Sequence, residues 1–312
     1  MMDAQLTTLV LLPVAAIGTL VNWSVVYAIT SLKSFKHSFG YLSANQAFAD
    51  ALHSSAFFLF FCPMVLLYIS VHRFRLRPSY SRDSEPLKYY SKHCGFVVLF
   101  CYEMSVHTHL VISLNRAFAA FTPYHYRTWF SDKITKYLIA ALWFVTASTT
   151  IPFYEGYDDT GFFYFTDSPL CGNIGWFADF LKNALIIVFI VIVDVITVIR
   201  VRTVGRKVNA SMSSETQNRN HEKENNFLKQ TVFQGFVFLL ELITYFILPR
   251  FVTGKWIVFF CTSFAWVAVH AVDGLIIVVC NPEIRVFLFS LGKKTHETAT
   301  IVTSVAPSRT VH

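Results

Sequence analysis

Seven apolar blocks divide this chain, and they leave it few folds to choose from. They cover residues 6–29, 40–69, 93–121, 134–153, 176–199, 227–248 and 256–280. Each has roughly the 20 residues that a helix rising ~1.5 Å per residue needs to cross a bilayer. The second and third are longer than that, so each is expected to tilt or to project beyond the lipid. Hydrocarbon offers no partner to an unpaired backbone group, so every block must be helical. Of the 312 residues 54% are hydrophobic and only 14% charged, which is more apolar surface than a soluble domain can hide. The expected fold class is an all-α membrane protein, a seven-transmembrane helix bundle.

Lysine and arginine counts orient it. With the N-terminus outside, the cytoplasmic segments hold 17 of these residues, from Lys33 and Lys36 through Arg116, Arg127, Lys133 and Lys136 to the third loop and the tail. The outer segments hold eight, six of them in one run: Arg73, Arg75, Arg77, Arg82, Lys88 and Lys92. That basic run either attracts acidic ligands or is simply a solvated loop. N-out, C-in is the expected orientation. The net charge of +7 then reflects cytoplasmic faces held by anionic lipid, not a nucleic-acid partner. Asp3 rather than a basic stretch opens the chain, so the first block reads as a span and not a cleaved signal peptide.

Polar side chains inside apolar blocks need partners. Asn22 lies mid-way through the first block, and Asp50 follows Asn45 and Gln46 deep in the second. Asp50 either takes part in a switch or is a structural pin bonded to Asn22. Further along come Glu103 and His107, four apart and so on one helix face, with His109 pointing elsewhere. Lys182 and Asp194 lie in the fifth block, Glu241 in the sixth, and His270 and Asp273 in the seventh. Glu103, His107, Lys182 and His270 are the candidate ligand-binding residues for a small polar molecule in the outer half of the bundle. The competing reading is that such groups pair with one another to hold helices together. Asn22, Asp50 and Asp273 are expected to form an intramembrane polar network. No metal-ligand spacing, catalytic group or cofactor motif is apparent; His107 and His109 fall on different faces.

Ser113-Leu114-Asn115-Arg116 closes the third block, with Pro123 seven residues after the arginine and Tyr126 three further. An arginine at a membrane edge can snorkel to water. Here its spacing from Pro123 and Tyr126 resembles the end of the third helix in rhodopsin-like G-protein-coupled receptors, as Asn45-Gln46-Ala47-Phe48-Ala49-Asp50 resembles their second-helix signature. The likeness narrows with Trp129-Phe130-Ser131, Phe227-Leu228-Lys229-Gln230, Gln234, Trp266, His270, Asp273-Gly274 and Asn281-Pro282-Glu283-Ile284-Arg285. In order and spacing these resemble the nematode serpentine chemoreceptors of class x.

That resemblance implies a receptor domain over residues 1–292 and a disordered cytoplasmic tail over 293–312, whose threonines and serines suit kinases and arrestin. It implies a short amphipathic eighth helix after Asn281-Pro282, with Ile284, Val286, Phe287, Leu288 and Phe289 towards lipid. Asn115, Arg116, Pro123 and Tyr126 become the switch and G-protein-coupling residues. Cys94 and Cys171, the two cysteines placed for oxidation, become a disulfide pair, although Cys94 sits three residues nearer Arg116 than in the rhodopsin-like pattern. A plasma-membrane or sensory-cilium location, a small-molecule ligand and a heterotrimeric G protein are the implied setting and partners. Departures are visible too. Asn115 replaces the acid expected before Arg116, leaving no adjacent carboxylate to hold it, and Asp273-Gly274 stands where Asn-Pro is usual. Transporter, membrane enzyme and ligand-less receptor are the alternatives; no internal repeat or broken mid-membrane helix favours a transporter.

Overall fold

A computed structural model describes residues 2–66, 85–151, 153, 173, 175–209, 229–230 and 232–290. Six of its helices are long and apolar enough to cross a membrane: Leu6–Ser31, Ser38–Leu66, His93–Phe121, Gly175–Val204, Val232–Arg250 and Lys255–Cys280. These are the first, second, third, fifth, sixth and seventh spans. The fourth is the 19-residue helix Asp132–Thr150, which starts one residue after Ser131. Helix ends outrun the apolar blocks in two places. The third helix begins at Glu85, so Lys88 and Lys92 stand on helix rather than in the basic loop, and the fifth continues to Asn209. The remainder of that loop, 67–84, lies outside the described residues, as do the end of the third cytoplasmic loop and the tail.

The third span is the axis of the bundle. Its most apolar window is 72% buried, against 22% for the fifth span. It packs on the second, fourth and fifth spans, while the first span packs on the second and seventh. Close approach is set by glycine at two crossings. A Cβ on Gly274 would collide with Asn22 Oδ1, and one on Gly18 would sit 2.6 Å from Ser54 Oγ. These two positions let the first span lie against the seventh and second.

Proline and asparagine set the breaks at the Arg116 end. Thr122 leaves helical geometry (φ −134°, ψ 62°) because Pro123 follows it, and Pro123 then opens a separate helix, Pro123–Trp129. Asn281 likewise breaks the seventh span (φ −112°, ψ 98°) before Pro282 starts the last helix, residues 282–290. That eighth helix is present as expected, with one correction to its faces. Val286 and Phe289 are exposed, but Ile284 is buried in a cluster with Val25, Ala28 and Ile277, and Phe287 and Leu288 are half-buried against that cluster. A helix lying across the bundle base must turn one apolar side inward, and Ile284 is on it.

Four short i→i+5 stretches interrupt the spans: Phe57–Phe61, Gly175–Leu181, Ile243–Ile247 and Phe260–Phe264. All four fall in the half of the bundle away from Arg116. Such wide turns rotate the side chains around them relative to an unbroken α-helix, and they recur at functional sites.

Candidate functional site

Two polar centres occupy the bundle interior. The first surrounds Glu103, which is 2% exposed. Lys182 Nζ donates to Glu103 Oε2 at 2.6 Å, and Asn183 Nδ2 donates to Glu103 Oε1 at 3.0 Å and to Asp179 Oδ1 at 3.0 Å. His107 Nε2 lies 3.7 Å from Glu103 Oε2, while its Nδ1 is 2.9 Å from Thr146 Oγ1 on the fourth span. On the other side Tyr102 donates to Glu241 Oε2 at 3.2 Å. Asp179 is close enough to Glu103 and to Glu241 for their charges to act on one another. Third, fifth and sixth spans thus converge on one acid-rich centre, with Tyr245 and Trp266 along its aromatic wall, 6.0 Å apart.

Three of the four candidate ligand residues, Glu103, His107 and Lys182, come together here. His270 does not. It is fully buried nearer the middle of the bundle, its Nδ1 2.7 Å from Asp50 Oδ1 and its ring 3.8 Å from that of His53. Helical phase decides this, since the seventh span turns His270 towards the second span. Asp179 and Asn183 were not anticipated. The available signal was a carboxylate, an ammonium and an amide at positions 179, 182 and 183, spaced to share a face of the fifth helix.

The second centre runs from Asp50 to the Arg116 end as a chain of amides and carboxylates. Gln46 Nε2 donates to Asp273 Oδ2 at 3.0 Å and Gln234 Nε2 to Asp273 Oδ1 at 2.8 Å. Gln230 Nε2 donates to Gln234 Oε1 at 3.3 Å, and Asn281 Nδ2 donates to Gln230 Oε1 at 3.0 Å. The second, sixth and seventh spans are tied together along this line. Asn22 belongs to the network but not through Asp50. Its Nδ2 donates to the carbonyls of Gly18 and His270, each at 2.9 Å, because His270 takes the Asp50 carboxyl. The expected Asn22–Asp50 pin is therefore replaced by an Asp50–His270 pair.

Arg116 is 4% exposed, with its guanidinium 5.2 Å from the centre of the Phe39 ring. Although no acid precedes it in sequence, the charges of Asp194 and Asp273 act on it from the fifth and seventh spans. Ser113 Oγ donates to Asp194 Oδ1 at 2.8 Å, fixing that carboxylate one turn before the arginine. No adjacent carboxylate holds Arg116, as the sequence indicates, and the acidic groups near enough to influence it stand across the bundle. Asn115 does a different job. Its Nδ2 donates to Ser38 Oγ at 3.1 Å, and Ser38 Oγ is 2.7 Å from the Tyr126 hydroxyl. Asn115 and Tyr126 are thereby linked through the start of the second span, which positions the Pro123–Trp129 helix. Tyr124 on that helix is 84% exposed.

Cys94 is buried with a free thiol, and Cys171, its expected partner, lies outside the described residues. Among the described residues no group of three or more His, Cys, Asp or Glu is arranged to hold a metal ion.

Comparison with known proteins gives this architecture a family. Residues 12–281 match the model of the serpentine type 7TM GPCR chemoreceptor Srx. The chain is 28% identical over 291 residues to serpentine receptor class X 45 of Caenorhabditis elegans, covering 86% of this chain and 76% of that protein. It is also 28% identical over 190 residues to serpentine receptor class X-43 of the same organism, covering 58% of each. The matched region takes in all seven spans, Arg116 and both polar centres, and on that basis the chain belongs to the Srx family of serpentine seven-transmembrane chemoreceptors of the G-protein-coupled receptor class.

Proposed function

We propose that this receptor binds a small molecule at the Glu103 centre and, in response, activates a heterotrimeric G protein at the Arg116 end. One observation carries the reading: Glu103 and Arg116 both stand on the third span. Glu103 and Arg116 are thirteen residues apart on one unbroken helix, roughly 20 Å at ~1.5 Å per residue. A ligand that changes what Glu103, Lys182 and Asp179 bond to shifts the fifth and sixth spans against that axis. The same two spans carry Asp194, which acts on Arg116, and Gln230 and Gln234, which bind the seventh span through Asn281 and Asp273. Ligand energy thus reaches the Arg116 end as a change in helix packing between two states. The exposed Pro123–Trp129 helix then serves as part of the G-protein contact, in a plasma-membrane receptor with its N-terminus outside. The tail beyond residue 292 is where kinases and arrestin would act.

The test is G-protein activation in cells expressing the chain, screened against pooled small polar and volatile metabolites, with Arg116→Ala as the control. The expected result is a response that disappears in the control while surface expression persists. An equal response from wild type and Arg116→Ala would remove Arg116 from its assigned role.

A further inference from the structure

The Glu103 centre has more acid than base. Three carboxyl groups, Glu103, Asp179 and Glu241, meet the ammonium of Lys182 and the imidazole of His107, and the Lys182 ammonium is already bonded to Glu103 at 2.6 Å. An anion entering here finds the Lys182 ammonium already taken by Glu103, whereas an ammonium group finds the carboxyl groups of Asp179 and Glu241, which it would hold ionised.

A second observation, independent of the charge count, points the same way. Asn183 is fully buried, and its amide orientation is fixed because Nδ2 donates to two carboxylates, Glu103 and Asp179. Its Oδ1 therefore remains an acceptor, and that oxygen has no hydrogen-bond partner. A buried carbonyl-type oxygen without a donor carries a desolvation cost, which a ligand N–H would relieve. Aromatic faces adjoin the same centre. Tyr102 and Tyr245 each lie 6.0 Å from Trp266, and both tyrosines are near enough to feel the charges of Asp179 and Glu241. Aromatic faces beside carboxylates suit an ammonium group.

We infer that the ligand is a protonated amine, its ammonium seated between Asp179 and Glu241 with an N–H donated to Asn183 Oδ1 and its body against Tyr102 and Tyr245. The inference rests on the receptor reading above and narrows it to one ligand class. Lys182 acts within it as an internal cation that holds Glu103 until the ligand arrives. The i→i+5 stretch Gly175–Leu181 contains Asp179, and Ile243–Ile247 contains Tyr245, so both wide turns present ligand contacts.

Purified receptor in lipid nanodiscs is followed by thermal unfolding with 2-phenylethylamine, butylamine and cyclohexylamine, and with 2-phenylethanol and 3-phenylpropanoate as neutral and anionic counterparts. At least one amine is expected to raise the unfolding temperature saturably, with neither counterpart doing so. Asp179→Asn should weaken that amine about tenfold or more. Lys182→Met gives the decisive sign, because removing the internal cation should tighten amine binding. Absence of saturable stabilisation by all three amines, or stabilisation by 3-phenylpropanoate that Lys182→Met abolishes, overturns the inference. In cells, an Arg116-dependent response to a non-amine metabolite alone overturns the amine assignment and leaves the receptor reading standing, whereas responses indifferent to Arg116 count against the receptor reading itself.

Discussion

Nδ1 of His270 lies 2.7 Å from Oδ1 of Asp50, and both side chains are fully buried between the second and seventh spans. The pair ties two helices 220 residues apart in sequence at mid-bundle. The His53 ring lies 3.8 Å from the imidazole at a 40° tilt, and the His270 carbonyl accepts from Asn22. One residue thus joins the first, second and seventh spans, which explains why His270 serves packing rather than the ligand centre.

Removing both members of this pair should cost less than the two single removals added together. Asp50→Ala and His270→Ala are each expected to lower thermal stability in nanodiscs. The double variant should fall short of the sum by about 0.5–3 kcal/mol, the range for directly coupled residues. Strict additivity would mean the two groups do not interact.

Gly274 is expected to tolerate no side chain while Asn22 is present. Its added Cβ meets Asn22 Oδ1, a short side chain fixed by two hydrogen bonds, so Gly274→Ala should reduce surface expression severalfold. Asn22→Ala in the same chain should recover part of that loss. Gly18→Ala, which meets the rotatable hydroxyl of Ser54, should be milder. Flow cytometry of an N-terminally tagged receptor measures all three.

Asp194 on the fifth span is near enough to influence Arg116, and if that charge restrains the arginine, neutralising it should free it. Asp194→Asn is expected to raise ligand-independent G-protein activation roughly 5-fold or more, the size of a typical coupling free energy between sites. Ser113→Ala, which removes the donor that positions Asp194, should move basal activity the same way by less. Unchanged basal activity in both would leave the Asp194–Arg116 interaction without a switching role.

Cys94 carries a free thiol, so Cys94→Ser should leave surface expression within about twofold of wild type, the span expected when a buried apolar contact and no cross-link is altered. Maleimide labelling of the denatured, unreduced receptor should modify Cys94. A protected Cys94, together with a loss of expression equal to that of Cys171→Ser, would restore the disulfide.

Much of this was legible in the chain. Seven helices follow from apolar block length, because lipid forbids any other backbone solution for those segments. The breaks at Thr122-Pro123 and Asn281-Pro282 follow from proline geometry. Glu103 and His107 could be paired from their spacing of four, and the structure adds Lys182 across from them. What sequence could not reveal was which buried polar groups meet. Asn22 had Asp50 as an obvious partner and bonds the His270 backbone instead. Arg116 had no neighbouring acid and is faced by Asp194 and Asp273, 78 and 157 residues away.

By itself the sequence determined the number of spans, their helical form and the residues that must find polar partners inside lipid. These are local consequences of solvent: a backbone in hydrocarbon has to bond to itself, and a buried amide or carboxylate has to bond to something. The tertiary structure decided the partners. Which face of each helix turns inward depends on crossings fixed by Gly18 and Gly274, and on where the wide turns of the fifth and sixth spans rotate Asp179 and Tyr245. Both are properties of helices packed together, and it is the packing that gives Glu103 to Lys182 and Asn183 on the fifth span and His270 to Asp50 on the second.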